Sequence, residues 1–191
     1  MDVQGHNIFF LLLYGYLFLA LSVSAITDLL YRRISNYVTF STIGIALVCY
    51  SVGSGLPGLI FSLKGLSFGF VLLLPLYFLG GTGAGDVKLM AAVGAILGIE
   101  HTLSAFLLIM ILGGIMALVM LVTKGKVWGT LRRLGFSLYA LSSGGAPNVM
   151  KVDRATLRRD GIPYGVVIAA GTLSYCCYQM TIGTGLPRLV P

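Results

Sequence analysis

Residues 3–27 read VQGHNIFFLLLYGYLFLALSVSAIT, a stretch of 25 residues without Asp, Glu, Lys or Arg. A helix crosses the hydrocarbon core of a bilayer with roughly 20 apolar residues, so this stretch is long enough to span it. Charge-free stretches of sufficient length also occupy 34–63, 65–85, 102–123 and 161–187. Ser51-Val-Gly-Ser-Gly-Leu-Pro57 reads as a turn between two spans, with Lys64 able to snorkel towards it. The shorter run Val87–Ile99 reaches spanning length if its helix starts in the glycine-rich loop before it. The expectation is an all-α polytopic membrane protein of one domain, 1–191, with six transmembrane helices at about 7–27, 34–52, 59–80, 85–99, 102–123 and 162–182.

Composition agrees with that reading. Of the 191 residues, 57% are apolar and 10% charged, and mean hydropathy is +0.95. Soluble domains carry about a quarter charged residues, which excludes an ordinary cytosolic enzyme. The net charge of +7 would suggest nucleic acid in a soluble protein, but its distribution reads as membrane topology. Arg32, Arg33, Lys88, Lys124, Lys126, Arg132, Arg133, Lys151, Arg154, Arg158 and Arg159 all fall on one side of the expected helices, and only Lys64 and Arg188 on the other. Positive residues accumulate in cytoplasmic loops, so both termini are expected on the non-cytoplasmic side. No nucleic-acid partner is implied; membrane lipids are.

Ser22-Val-Ser24-Ala25 resembles a signal-peptide cleavage site, but residues 2–5 carry no Lys or Arg and the apolar run exceeds a signal core. Cys49, Cys176 and Cys177 lack the spacing of a disulfide framework or zinc site and read as apolar filler. Between helices five and six lies a basic cytoplasmic loop, 124–160. Trp128, Leu131, Leu134 and Leu138 recur there at helical spacing beside Arg132 and Arg133, which suits an interfacial helix, although a plain basic connector fits equally.

The chemistry is sought among the carboxylates, because an ionisable group at a membrane span is costly and marks function by default. Of six, Asp2 and Glu100 fall on the far side and Asp153 and Asp160 among loop arginines. Asp28 ends helix one and Asp86 begins helix four, both at the cytoplasmic face and at one depth. Two carboxylates in a partly dry site share a proton. The charged member draws a proton from water, and the protonated member hydrogen-bonds the scissile carbonyl and then protonates the leaving amine. From topology alone, capping or an Asp28–Arg32 ion pair accounts for Asp28, and an N-cap of helix four for Asp86.

Gly80-Gly-Thr-Gly-Ala-Gly85 precedes Asp86. Its glycines permit close backbone approach, so Gly83 and Gly85 are expected to receive an extended substrate. The loop is neither a Walker loop nor a dinucleotide fingerprint, since Asp86 stands at the third glycine position.

Gly83-Ala-Gly-Asp86-Val-Lys-Leu89 resembles the extended Gly-x-Gly-Asp motif of the type IV prepilin peptidases, membrane-embedded aspartic proteases. Asp28-Leu-Leu-Tyr-Arg-Arg-Ile-Ser-Asn36 resembles the first aspartate motif of that family, with Ser35 in place of the usual Pro, a change that alters the start of helix two. Gly161-Ile-Pro-Tyr-Gly165 resembles the Pro-Tyr-Gly of the small members serving tight-adherence (Tad/Flp) pili. The resemblance spans about 15–175 and implies catalytic Asp28 and Asp86 and a prepilin-like substrate with a short basic leader. It also implies cleavage at the cytoplasmic face of the bacterial inner membrane, for pilus assembly or secretion, without a metal or other cofactor. Larger members add paired Cys-x-x-Cys motifs and a methyltransferase activity; this chain has no such segment, so peptidase activity alone is expected.

His6 and His101, the only histidines, are both placed on the far side, which excludes a Ser-His dyad beside either aspartate, and there is no His-Glu-x-x-His. The alternative is a small proton- or cation-coupled transporter using the two aspartates, which leaves the glycine loop and third motif unexplained. Pro163-Tyr-Gly165 is in part a helix start, with Tyr164 expected to line the cleft. Lys88 is placed to hold anionic lipid or to tune Asp86. Nothing in the chain specifies an oligomeric state.

Overall fold

The computed structural model describes residues 3–78, 81–123 and 164–182. These form four helices: α1 (Val3–Tyr31), α2 (Asn36–Phe78), α3 (Ala84–Thr123) and α4 (Tyr164–Ile182). The described residues are helical or connecting, with no strand. Three stretches, Leu11–Tyr31, Asn36–Phe78 and Ala84–Met120, are long and apolar enough to cross a membrane. The 124–160 loop with its expected interfacial helix lies outside the described residues, as do Gly80 and Gly161–Pro163. The chain divides into two compact units, Met1–Met110 with Pro163–Pro191, and Ile111–Ile162. The first carries every feature discussed below; of the second, the helical run to Thr123 is described.

At 1.5 Å per residue the 43-residue α2 and the 40-residue α3 would be about 65 and about 60 Å long if straight, each roughly twice the hydrocarbon thickness. Both are broken at a single glycine in the left-handed region, Gly55 (φ 62°, ψ −143°) and Gly98 (φ 74°, ψ −179°). Sequence reasoning expected separate helices with a seven-residue turn at 51–57. The observed break is one residue, because glycine adopts this conformation without a Cβ clash and the helix resumes at once. Pro57 then falls in the first turn of the resumed helix, where its missing N–H costs nothing.

Breaking α3 at Gly98 strips helical donors from the carbonyls just before it. Side chains of α2 replace them: Ser62 Oγ donates to the Ala95 carbonyl at 2.8 Å, and the Tyr50 hydroxyl donates to the Ile96 carbonyl. The ring of Phe61 lies 5.2 Å from that of Tyr50 and packs against Gly98, where any Cβ would strike it. Around this contact the two helices meet backbone to backbone. A Cβ on Gly65 would collide with the Gly94 carbonyl, one on Gly94 with the Gly65 carbonyl, and one on Gly69 with the Met90 carbonyl. Gly65-x-x-x-Gly69 and Gly94-x-x-x-Gly98 thus form facing small-residue stripes, which gain dispersion contact where lipid supplies no hydrophobic drive between helices.

Helix α1 packs against both α2 and α4. Its end is set by Arg32, whose φ of 52° places it in the left-handed C′ position, with its N–H on the Asp28 carbonyl at 2.9 Å. A non-glycine residue there costs about 1–2 kcal/mol. The Ser35 carbonyl accepts the Thr39 N–H at 3.3 Å, which makes Ser35 the N-cap of α2, a position that favours serine. The connection is therefore only four residues, 32–35. Helix α4 is buried mainly over its first half, to Thr172, and exposes Tyr178 and Met180 in its second; it is less apolar than the other three. About 15 Å along α4 from Gly165, Tyr175 hydrogen-bonds His101 and accepts from Gln179 Nε2 at 2.6 Å, which fastens α4 to α3 just past the Gly98 break.

Gly65→Ala and Gly94→Ala are each expected to destabilise the protein by about 1–3 kcal/mol, because the clashing atom is backbone and cannot rotate away. Thermal unfolding in detergent checks this, with Gly44→Ala as comparison, since a Cβ there meets nothing within 4 Å.

Candidate active site

Asp28 lies in the last turn of α1 and Asp86 in the first turn of α3. The structure brings them together: each is buried, 7% and 8% exposed, and Asp86 is within electrostatic range of Asp28. Each carboxylate is held by a backbone donor. The Gly165 N–H donates to Asp28 Oδ2 at 2.8 Å, and the Gly83 N–H donates to Asp86 Oδ2 at 2.7 Å.

These two bonds have different origins in the sequence. Gly165 is the second residue of α4, where N–H groups have no helical acceptor and the helix dipole favours an anion. Asp28 therefore caps α4 from across the chain, and not its own helix. Arg32 lies within its electrostatic range. Around Asp86, the N–H groups of Asp86 and Val87 donate to the Gly83 carbonyl at 3.1 and 3.4 Å, so Gly83 is the N-cap of α3. Asp86 is not the N-cap that sequence reasoning gave as its alternative role. It stands at N3 and reaches back to the N-cap N–H, the acidic half of a capping box.

The glycine loop acts through space. The left-handed region holds neither Gly83 nor Gly85. A Cβ on Gly83 would stand 3.3 Å from Asp86 Oδ2, and one on Gly85 would stand 3.1 Å from Ile34 Cβ. Gly83 is exposed and Gly85 half-buried. Tyr164 is 8% exposed, with its hydroxyl 3.9 Å from Met110 Sδ, and it lies within electrostatic range of Asp86. Its immediate surroundings are those of a packed residue beside the pair.

Lys88 is turned to α2: its Nζ donates to Asn36 Oδ1 at 3.1 Å and lies 5.2 Å from the centre of the Phe40 ring, a cation–π contact. It ties the first turn of α3 to the first turn of α2. Sequence reasoning missed Gly165, Ile34 and Asn36 as parts of the site. A backbone N–H donor has no side-chain signature, and Ile34 reads as one more apolar residue. Their only sequence signal is membership of the three motifs. Among the described residues no group of three or more His, Cys, Asp or Glu is placed to hold a metal. The arrangement offers two neighbouring, oriented carboxylates, which is the equipment of general acid–base hydrolysis.

The profile of the type IV leader peptidase family matches residues 15–118, more than half of the chain and a range that includes both aspartates. The chain belongs to that family, whose members are proteases of leader-peptidase type. No curated protein and no solved structure gave a significant match. The family match ends before α4, so Tyr164 and Gly165 join the site through geometry.

Gly165→Ala would set a methyl 2.9 Å from Asp28 Oδ2 and 3.0 Å from Ile34 Cδ1, whereas the Gly83→Ala methyl meets only the Asp86 carboxylate oxygen at 3.3 Å within van der Waals range of a side chain. Gly165→Ala should therefore lower peptidase turnover by about 10- to 100-fold and Gly83→Ala by a few-fold at most, measured as initial rates on equal amounts of folded protein.

Proposed function

We propose that this protein is an intramembrane aspartic endopeptidase that removes the short basic leader from a prepilin-like substrate. The observation that carries the reading is the pair of buried carboxylates at the ends of two helices, Asp28 held by the backbone of Gly165 and Val166 and Asp86 by that of Gly83. In the reaction the pair shares one proton. The ionised member takes a proton from a bound water as that water attacks the scissile carbonyl. The protonated member hydrogen-bonds the carbonyl oxygen and then delivers its proton to the departing amine. The backbone donors fix the orientation of both carboxylates before substrate arrives, which lowers the cost of reaching the attacking geometry.

The substrate lies extended against Gly83 and Gly85, with Tyr164 forming part of the wall beside Asp86. Cleavage falls at the cytoplasmic face of the bacterial inner membrane, and the enzyme acts without cofactor and without methylating the product. The third motif favours a pilin of the tight-adherence class. Six segments cross the membrane, the glycine breaks in α2 and α3 each returning the chain across it, and both termini face away from the cytoplasm. The family match leaves the transporter reading without support.

Asp28→Asn and Asp86→Asn are each expected to abolish leader cleavage of a prepilin-like substrate while leaving insertion intact, because each removes one half of the acid/base pair. Substantial cleavage by either inserted variant refutes the assignment. Reporter fusions after Arg33, Gly83 and Lys151 should report the cytoplasm, and fusions after Gly55 and His101 the opposite side. An external signal at Gly83 would remove Asp86 from the cytoplasmic face.

A further inference from the structure

The connection between α1 and α2 carries one apolar side chain, Ile34, that touches both halves of the carboxylate pair's support. On one side Ile34 Cβ would stand 3.1 Å from a Cβ on Gly85, the residue immediately before Asp86. On the other, Ile34 Cδ1 would stand 3.0 Å from a Cβ on Gly165, the residue whose N–H holds Asp28. Both glycines are thus in close contact with a single side chain, one through its root and one through its tip. Neither glycine is required by its backbone conformation, since neither has positive φ.

The two ends of this connection are fixed independently of Ile34. Arg32 is bonded through its N–H to the Asp28 carbonyl, and Asn36 accepts a hydrogen bond from Lys88, two residues beyond Asp86. Ile34 is half-buried and sits in a four-residue connection with little freedom to move aside. A β-branched side chain adds rigidity, because few χ1 rotamers are open to it.

We propose that Ile34 is a positioning residue, the spacer that sets the separation of the Asp28 and Asp86 carboxylates. The proposal rests on the peptidase reading of that pair. Ile34 is apolar and neither gives nor takes a proton; it acts by keeping the α3 N-terminus and the α4 N-terminus apart by the width of one isoleucine. Shortening it lets Gly85 and Gly165 shift, and with them the two carboxylates. Loss of about 1 Å of alignment is enough for about a 100-fold loss of rate. The same shift changes the charge coupling within the pair, and with it the spacing of the two limbs of the pH–rate profile.

The test uses the full-length protein in detergent or liposomes with a prepilin-like substrate. Ile34→Ala is expected to lower kcat by about 10- to 100-fold, with KM changed by no more than about threefold, and to alter the separation of the two pH–rate limbs. Both variants keep the Cβ that faces Gly85 and lose the Cδ1 that faces Gly165, but Ile34→Val also keeps the Cγ1 that stands 3.7 Å from a Cβ on Gly85, so it should fall between Ile34→Ala and wild type. Among the described residues Arg32, Lys88 and Tyr164 are the other ionisable groups about the pair; every ionisable group of the chain is unchanged in this series, so limb movement reports a change in geometry at the pair.

A second readout needs no substrate. Spin labels at the exposed positions 30 and 84, in a background with Cys49, Cys176 and Cys177 replaced by serine, report the distance between the α1 end and the α3 start. Ile34→Ala should shift or broaden that distribution. A distribution superimposable on that with Ile34, or wild-type kcat and limb separation in well-folded Ile34→Ala, overturns the proposal. Cleavage by Asp28→Asn would instead overturn the peptidase reading, and the spin-label distances would still decide whether Ile34 is a spacer.

Discussion

The hydrogen bond from the Gly165 N–H to Asp28 Oδ2 joins residues 137 apart in sequence, and it solves two problems with one contact. Helix α4 begins with donors that have no helical acceptor, and α1 ends with a buried carboxylate that needs donors. Away from water each deficit would cost on the order of 1–3 kcal/mol or more. Satisfying both together fixes the start of the last helix on the end of the first. Asp86 is treated in the same way by its own loop, through the Gly83 N–H. The proposed acid/base pair is therefore oriented by backbone atoms, whose positions are set by helix ends and do not depend on side-chain rotamers.

Such a pair is useful only if the helix ends that carry it come close, and that depends on small residues. Gly85 and Gly165 admit Ile34 between them, as Gly65 and Gly94 admit each other's backbone. Close approach of this kind concentrates dispersion contacts and lets hydrogen bonds reach main-chain atoms of a neighbouring helix. Ser62 and Tyr50 do so at the broken end of α3. The same break that frees the Ala95 and Ile96 carbonyls is kept tolerable by the helix packed beside it. At Gly98 the break, the glycine stripes and the polar side chains of α2 act together, so that a long apolar helix is interrupted with its freed Ala95 and Ile96 carbonyls paired.

Much of this was legible in the sequence. Charge-free runs marked the helical segments because the length of an apolar run is a local property. The two aspartates stood out because carboxylates at the ends of such runs are costly, and three short motifs pointed to the family that the profile match shows. The four facing glycines were equally visible as two Gly-x-x-x-Gly pairs, but glycine spacing alone does not say which stripe meets which. The turn expected at 51–57 was too long because a single left-handed glycine reverses helical geometry in one residue, and neighbouring turn-type residues look alike in sequence.

What the sequence by itself determined is the identity of the ionisable groups and the helices that carry them, since hydropathy and charge act residue by residue. Only the tertiary structure decided that Asp28 serves α4, that Asp86 closes a box on Gly83, and that Lys88 reaches Asn36. Hydrogen bonds to main-chain N–H groups leave no trace in side-chain identity. A contact between an isoleucine and two glycines exists only once three distant segments have folded onto one another.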